Sequence, residues 1–429
     1  MLKIAVDKIT PRIQYVFDRI RDFRGIEFTL VAIDTLVERN EMYFYSQDIH
    51  TKDKGFKAAN LLYETTLSKT ILSKAIFREQ ECLAFDTVAD PLASIFYHLT
   101  RMEEYAYQTP DFHGRFQAKD SFLVKYGWEK YLMVERWIDD FLADYHQKMK
   151  SSFENSYPPL KLLLTFDIDN TFAFKWKPIT RVLGSYVKDM MRFDFKRMAA
   201  KTATLLQFRK DPYDTFNKIL QYHKNGVAVQ LFWLLGDTDT YDRNVSNTSK
   251  KHRAFICEIG VELSIGLHPS YASNKSFDKL LKEKEHIENI LKQPVETSRQ
   301  HFLKLRFPDT YQQSQKAGFK SDYTLGFGDV IGFRSGTIQA FPFFDLEKDQ
   351  QQDYWIHPFS YMDGTLKDYL KLSVEQSKKE INELIVEASR FGGDFIIIWH
   401  NETISEWHDW KGWSELITYT IQRTNEVNN

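Results

Sequence analysis

The stretch that most constrains the fold is 161–171, which reads KLLLTFDIDNT. Its apolar and β-branched run, residues 162–165, is typical of a strand that is buried on both faces. The strand ends in Asp167 and Asp169, whose side chains share one side because alternate residues of a strand face the same way. In parallel α/β folds, ligands bind at the carboxyl ends of the strands. The stretch therefore predicts either a polar site at that end or a simple cap and turn into the next helix.

The length and composition of the chain limit the number of domains and the kinds of partner that we expect. With 429 residues the chain exceeds one ordinary core, and we expect two domains. A hydrophobic content of 43% and a charged content of 27% indicate a folded protein. The 57 basic and 59 acidic residues give a net charge of −2, so the chain as a whole is not drawn to nucleic acid or to an anionic membrane.

Cysteine content and hydropathy predict a cytoplasmic protein. Cys82 and Cys257 lie far apart and form no CxxC pair, so neither a disulfide framework nor a thiolate zinc site is expected. The first 20 residues are interrupted by charges and contain no apolar run of signal-peptide length. The longest apolar runs, such as KLLLTF and DFIIIW, are of strand length and far too short to cross a bilayer.

Residues 1–155 are predicted to form a smaller mixed α/β domain of unknown role. Its helices and strands are expected at 13–23, 26–33, 42–45, 91–105 and 134–146. The segment 111–120, DFHGRFQAKD, concentrates His113, Arg115 and Lys119 and could line a polar pocket, but a solvated loop with surface ion pairs is favoured. The Ser, Asn and Pro residues of SSFENSYPP, 151–159, predict a linker to the second domain.

Residues 156–429 alternate between strand and helix patterns, which predicts an α/β domain with a parallel sheet or barrel and outer helices. Strands are expected at 161–168, 227–235, 261–267, 296–303, 319–325, 338–344 and 394–400, and helices at 277–291 and 366–391, for example. The segment 174–213 is basic and aromatic. Because no nucleic-acid recognition motif accompanies it, we interpret it as an amphipathic outer helix.

Polar residues of a restricted kind follow these strands. They are Asp167, Asp169, His268 in LHPSY, Arg299 and His301 in SRQH, and His400 after DFIIIW. A lone histidine at such a place is usually structural, but six such residues at the strand ends of one domain predict a shared site. Aspartate and histidine are the residue types that a divalent metal with a hydrolytic water requires.

The order TFDxD, GLHPS, SRQH and WHN resembles the polysaccharide deacetylase superfamily, carbohydrate esterase family four, over 159–425. The flanking GFRSGT and MDGTL resemble a bacterial branch that also carries an N-terminal domain like residues 1–155. The resemblance implies an irregular (β/α)7-type barrel and one divalent metal ion, most often zinc. It also implies hydrolysis of N-acetyl groups on amino sugars in a glycan or glycan precursor.

The resemblance also assigns roles to individual residues. By position, Asp167 matches the general base and Asp169 the metal-binding aspartate, with Ile168 between them in place of the commoner adjacent pair. His268 matches the first metal histidine. Two further matches are Arg299, which resembles the arginine that orients the base, and His400, which matches the general acid. Three residues in or beside the same motifs are predicted to bind the substrate: Arg334, Asp363 and Trp399.

One departure from the family motif bears on the metal. The family places a second histidine at i+4 from the first, and here that position is Ala272. Either another residue completes the ligand set or the site is weakened or lost. His301 is the best substitute because it lies beside Arg299 at the mouth of the next predicted strand. That substitution is a hypothesis from proximity and is not supplied by the motif.

Three functions remain open, in order of preference. The first is an amino-sugar deacetylase acting on a lipid-linked, nucleotide-linked or soluble precursor, the second a hydrolase of another non-peptide C–N bond, and the third an inactive carbohydrate-binding barrel. A serine hydrolase is disfavoured because there is no GxSxG elbow, and phosphoryl transfer because there is no P-loop. The expected partner is an acetylated amino-sugar glycan, with no nucleic acid and no membrane span.

Overall fold

A computed structural model describes residues 1–36, 39, 41–66, 70–151 and 155–428. Part of the predicted linker, residues 152–154, therefore lies outside the described residues. No helix in the described ranges has the length and apolar character needed to span a bilayer.

The N-terminal residues form two small sheets and a set of helices. A parallel sheet has the strand order β2-β1-β3-β4, and an antiparallel sheet has the order β5-β6-β7. The strands are β1 Leu2–Val6, β2 Phe28–Ala32, β3 Tyr43–Ser46, β4 Gly55–Lys57, β5 Leu72–Phe77, β6 Gln80–Phe85 and β7 Val88–Ala89. The helices are α1 Pro11–Arg24, α2 Pro91–Leu99, α3 Met102–Tyr105, α4 Phe122–Lys125 and α5 Met133–Met149.

Helix α1 shows how the local sequence sets these bounds. The Thr10 side chain accepts a hydrogen bond from the backbone of Ile13, and Pro11 occupies the first turn, where its missing N–H costs nothing. The helix ends at Arg24 and is capped by Gly25, whose φ of 66° is in the left-handed region that glycine adopts without strain. The apolar side of the helix is buried, as its spacing predicted.

In the C-terminal residues, nine described strands form one sheet in the order β13-β14-β12-β11-β10-β9-β8-β16-β15. All neighbours are parallel except β13 and β14. The strands are β8 Leu160–Ile168, β9 Ala228–Leu234, β10 Ser264–His268, β11 Thr297–Ser298, β12 Ser321–Asp322, β13 Phe341–Asp345, β14 Gln350–Ile356, β15 Phe359–Met362 and β16 Gly393–His400. The helices are α6 Ile179–Met191, α7 Phe195–Leu205, α8 Phe216–Lys224, α9 Lys250–Glu262, α10 Phe277–Leu291, α11 Asp309–Lys316, α12 Val374–Ser389 and α13 Glu415–Asn428.

The sheet is curled, and its carboxyl ends face one another. Arg299 follows β11 yet donates hydrogen bonds to Thr165 and Asp167 of β8, although β9 and β10 lie between these strands. Because neighbouring strands are about 4.8 Å apart, such a contact requires strong curvature. The predicted α/β class is thus confirmed, and the predicted barrel takes the form of a half-barrel built on a curled parallel sheet.

The N-terminal residues pack directly on the half-barrel near β13. The Tyr15 hydroxyl donates to the backbone oxygen of Pro342 over 2.8 Å, and the ring of Phe344 lies 5.1 Å from those of both Tyr15 and Phe96. The main hydrophobic core accordingly includes residues from both sides of the predicted linker. The division of the chain at 155/156 stays a prediction.

Candidate active site

Three predicted metal ligands lie together at the carboxyl ends of the strands. Asp169 directly follows β8, His268 ends β10, and His301 lies in the turn after β11. The Nε2 atom of His268 is 3.3 Å from Asp169 Oδ1, and the Nε2 atom of His301 is 3.4 Å from Asp169 Oδ2. One ligand atom from each residue lies within 4.8 Å of the others. These residues form a candidate metal centre.

The turn that carries His301 is conformationally unusual. Phe302 and Leu303, which follow it, both have left-handed backbones, with φ of 59° and 53°. Such conformations are costly for residues with a side chain and persist where the surrounding structure enforces them. The turn directs His301 toward Asp169, so His301 joins the cluster, as expected of it from its predicted place beside Arg299.

Hydrogen bonds on the far side of each ring orient both histidines. The Nδ1 atom of His268 is bonded to the backbone oxygen of Arg299, and the Nδ1 atom of His301 lies 2.8 Å from Asp242 Oδ1. In each case Nε2 faces Asp169. Partners of this kind are what fix the tautomer and direction of metal-binding histidines in proteins.

Asp242 was not predicted from the sequence. It lies in the loop after β9, whose sequence also contains Asp237 and Asp239, and nothing in the local pattern separates it from them. In the fold it is buried, and its carboxylate also accepts a hydrogen bond from the backbone of Tyr271.

The charges of this cluster suit a cation. Burial raises the pKa of Asp169, but the positive charge of His301 and the close approach of both histidine rings outweigh it and hold that pKa well below its usual range. Burial lowers the pKa of His301, whereas Asp169 and Asp242 together raise it to about 9. Asp169 Oδ1 is buried and makes no hydrogen bond of good geometry within the described part of the chain. A divalent ion that bound here would displace the proton of His301, because only a neutral imidazole acts as a ligand, and would then have one ionised carboxylate and two imidazole nitrogens as donors.

Asp167 is held beside this cluster by a buried arginine. Arg299 donates to Asp167 Oδ1 over 2.8 Å, to Thr165 Oγ1 over 2.7 Å and to the backbone oxygen of Tyr323 over 2.9 Å. The other oxygen of Asp167 is 3.8 Å from His268 Nε2. The guanidinium also lies 4.4 Å from the centroid of the Phe232 ring. Because Arg299 is fully buried and held from several sides, it fixes the carboxylate in one orientation.

His400 approaches the cluster from the end of β16. Its Nε2 atom is 3.8 Å from Asp169 Oδ2, and its Nδ1 atom is 2.9 Å from Asp363 Oδ1. Asp363 also accepts from the backbone N–H of His400 and from the hydroxyl of Thr403. Burial lowers the pKa of His400, but Asp363, Asp169 and Asp167 raise it well above its usual value. His400 therefore holds a proton that faces the site.

The three residues predicted to bind substrate are all buried. Arg334 donates to both carboxylate oxygens of Glu104 and to the backbone oxygen of Gly326. Asp363 is occupied by His400 and Thr403, and Trp399 lies within the hydrophobic core. Contact of these side chains with a substrate stays a prediction. Their observed contacts hold the structure around the site.

The loop 111–117 lies closer to the site than expected. The ring of His113 is 4.8 Å from that of Phe302, and its Nδ1 atom is 3.4 Å from the Tyr271 hydroxyl. Arg115 donates to the backbone oxygen of Phe302 over 3.1 Å. The expectation of a solvated loop is wrong for His113 and Arg115, although Lys119 is exposed. The contact joins two distant parts of the chain, which a local pattern does not reveal.

The chain was compared with protein families, with curated proteins and with solved structures. A family of unknown function, DUF7033, matches residues 2–150. No curated protein matches the chain.

Several solved structures are similar to this chain. One is a protein from Mycobacterium smegmatis provisionally named a polysaccharide deacetylase, with 13% identity over 63% of this chain and 89% of that chain and a TM-score of 0.39. An allantoinase has 10% identity over 62% and 84%, with a TM-score of 0.38. A CE4 family pseudoenzyme from Bacillus anthracis has 12% identity over 64% and 67%, with a TM-score of 0.31. Similarity at this level does not decide an activity, so the functional proposal rests on the side chains.

Proposed function

We propose that this protein is a metal-dependent hydrolase that removes an N-acetyl group from an amino sugar in a glycan or glycan precursor. The observation that carries the proposal is the arrangement around Asp169. Asp167, whose carboxylate is held by Arg299, lies on one side of the cluster. His400, whose ring is held by the carboxylate of Asp363, lies on another side. Hydrolysis of an amide needs these two groups, one to accept a proton and one to donate it.

Asp169, His268 and His301 would hold the metal ion. One carboxylate and two imidazoles form a common donor set for catalytic zinc, which leaves a position open, and zinc is the ion we propose. When bound, such an ion polarises the amide carbonyl and activates water. His301 supplies the donor that the motif position at Ala272 lacks, which favours a working centre over an inactive binding barrel.

Asp167 serves as the general base in this proposal. Arg299 holds its carboxylate in one orientation, so that Asp167 accepts a proton as water attacks the acetamide carbon. The C–N bond then breaks, and the departing nitrogen needs a proton because an amide anion is a very poor leaving group. His400 donates that proton from Nε2, while Asp363 stabilises its charged ring. The products are acetate and a free amino sugar.

The test is acetate release together with metal content. The full chain, loaded with zinc, is assayed on a panel of N-acetylated amino-sugar oligosaccharides beside Asp167→Asn and Asp239→Asn, an exposed aspartate of the β9 loop. We expect Asp167→Asn to keep its metal and lose roughly a hundredfold or more in rate, because it lacks the base. Asp239→Asn should resemble the wild type.

Other results would redirect the proposal. Full activity in Asp167→Asn would remove Asp167 from the base role. A metal-bound protein that is inactive on all acetylated sugars but hydrolyses a cyclic or linear ureide would favour the second function, hydrolysis of another C–N bond. A protein that binds no divalent ion even after incubation with zinc, cobalt and nickel would favour the carbohydrate-binding barrel.

A further inference from the structure

Helix α6 presents its apolar side to solvent. Ile179, Leu183, Val187 and Met190 recur at intervals of three and four residues and so share one side of the helix. All four are exposed, from 52% for Val187 to 69% for Ile179. An outer helix ordinarily buries such a stripe on the core. The sequence-based interpretation of 174–213 as an amphipathic outer helix is thus altered in two ways, because the segment contains two helices and α6 turns its apolar side outward.

The exposed apolar surface continues beyond α6. It includes Met191, Phe193, Phe195, Leu205, Leu206 and Phe208, of which Phe208 is 84% exposed. Ten of the 21 exposed large apolar side chains in the described part of the chain fall within residues 179–208. We call this segment the hairpin. Soluble proteins rarely leave so many large apolar side chains exposed together without a partner.

The hairpin is a formed element. Lys201 of α7 lies 2.5 Å from Asp189 of α6, both side chains being buried, and the Tyr186 hydroxyl is 2.8 Å from Thr202 Oγ1. The two helices therefore meet through polar groups on their inner sides. Their apolar side chains remain outside that contact.

Positive charge accompanies the apolar surface. Residues 174–213 contain ten basic and three acidic residues, whereas the whole chain has a net charge of −2. Lys188, Arg192, Lys196, Arg209 and Lys210 are all exposed. The net charge of the whole chain predicted no attraction to an anionic membrane, because it does not reveal this local excess of positive charge. Aromatic and aliphatic side chains interleaved with lysine and arginine are the pattern of helices that lie in a membrane interface.

A cationic cleft runs along the hairpin and reaches the chain segment next to the candidate active site. It is lined by Lys177, Arg181, Arg192, Arg243 and Asn170, the residue after Asp169. Lys177 Nζ is 3.2 Å from Asn170 Oδ1. Within the described ranges no carboxylate lies within 4.0 Å of these four cations.

Two carboxylates, Asp189 and Asp194, line the same cleft, and neither is within 4.0 Å of these four cations. The Asp194 side chain accepts a hydrogen bond from the backbone N–H of Arg197 at the start of α7. Asp189 is paired with Lys201 and with Arg197. Burial, and after it the charge of the neighbouring Arg181, lowers the pKa of Lys177 to about 8. The cleft therefore suits an anionic group such as a phosphate ester.

We propose that the hairpin is a docking surface for an anionic lipid bilayer, which places the cleft and the active site at the membrane surface. The substrate that fits this arrangement is a glycan held in the membrane by a phosphate-bearing lipid. The substrate part rests on the proposed deacetylase function, whereas the docking part does not. A protein partner is disfavoured because the cores of protein interfaces are depleted in lysine, and nucleic acid needs no broad apolar surface.

The test is co-sedimentation of the full chain with vesicles. One set is phosphatidylcholine alone, and the other contains roughly one-third phosphatidylglycerol. We expect binding to the anionic set only, weakened by salt. The combined variant Met191→Ser, Phe193→Ser and Phe208→Ser should lose at least about tenfold in vesicle partition, since three exposed apolar side chains leave the interface. Ile71→Ser with Ile76→Ser and Val261→Ser, three exposed residues elsewhere, is the matched control and should bind as the wild type does.

Melting temperatures of both triple variants establish that they remain folded. Failure of the wild type to bind anionic vesicles, or equal binding to both vesicle sets, would overturn the inference. A concentration-dependent dimer in sedimentation velocity that disappears in the hairpin variant would assign the surface to a second copy of the chain instead. A wild type that deacetylates soluble sugars without binding vesicles refutes docking alone, and one that binds vesicles without releasing acetate refutes the proposed function alone.

Discussion

The candidate metal centre depends on residues that orient its ligands as much as on the ligands. His301 contacts Asp169 only because a left-handed turn and the Asp242 carboxylate hold its ring in place. His268 needs only a backbone oxygen for the same purpose. His301 is therefore the histidine of the candidate centre whose orientation relies on a charged side chain.

Asp242→Asn tests this dependence. An amide at this position bonds Nδ1 of His301 less strongly and removes the charge that stabilises the correct ring orientation. We expect metal affinity to fall about 10- to 100-fold, the usual cost of losing such a partner. Competition with a chromogenic chelator measures it, with Asp239→Asn in the same loop as control. Equal affinities in the two variants would show that Asp242 does not position His301.

At the scale of elements, the long buried strands were the best predicted from sequence. The runs 161–168 and 394–400 differ from β8 and β16 by a single residue at the start, because both are largely apolar strands that pair with a neighbour on each side. The helix 277–291 coincides with α10. The polar residues at the ends of these strands could therefore be identified from sequence, since Asp167 and His400 lie in the last two positions of their strands and Asp169 directly follows β8.

Short and polar elements were poorly predicted. Strands β11 and β12 have two residues each, too few for any periodicity, so the predicted strand 296–303 wrongly included His301, which lies in a turn. β14 was missed because its sequence, QQQDYWI, is mostly polar and partly exposed. Helix α12 begins later than predicted, at the capping box of Ser373 and Gln376, which is legible in the sequence. For α6 the spacing of apolar residues predicted a helix. It did not predict that the apolar side of this helix faces solvent.

Substitution of Gly266 in β10 tests how strictly the sheet positions the proposed metal ligands. A Cβ atom built at Gly266 would lie 2.8 Å from the Phe232 ring of β9 and would also meet Thr297 of β11. Gly266→Ala must therefore push β10 from its neighbours. We expect a loss of about 1–3 kcal/mol in the free energy of unfolding. A weaker metal affinity should follow, because His268 is only two residues away.

Denaturant unfolding and chelator competition measure the two effects. Gly184→Ala in α6 is the matched control, since a Cβ there meets nothing within 4 Å. It should be neutral or stabilising by about 0.5–1 kcal/mol, as expected for a helical glycine. If Gly266→Ala binds metal as tightly as Gly184→Ala, the sheet tolerates the shift and does not set the ligand geometry closely.

At the scale of the whole molecule, the N-terminal residues and the half-barrel share buried polar contacts. Glu104 is buried between Arg101 and Arg334, and Glu135 of α5 accepts a hydrogen bond from Thr337 over 2.5 Å. The sequence showed a plausible boundary through its linker composition. It could not show these contacts, because residues about 200 positions apart meet only in the folded chain. The two parts are expected to support each other's stability.

Glu135 makes the stability of the folded protein depend on pH. Burial raises its pKa to about 7, against the opposing effects of Thr337 and Arg24, so the folded protein holds a proton that the unfolded chain releases near its ordinary value of 4.5. A raised pKa gives stability that is complete below the unfolded value and is lost as pH rises through 7. The shift corresponds to about 3 kcal/mol, or roughly 3 °C in melting temperature for a chain of this size.

Glu135→Gln, which carries no charge at any pH, isolates this contribution. Between pH 5 and pH 8 the melting temperature of the wild type should fall relative to that of the variant, because only the wild type must ionise a buried carboxyl as the pH rises. The surface variant Glu375→Gln removes a carboxylate whose side chain is 79% exposed, so its curve should run parallel to that of the wild type. Parallel curves for Glu135→Gln as well would mean that Glu135 is charged in the folded protein. The contact with Thr337 would then hold the two parts together equally at both ends of this pH range.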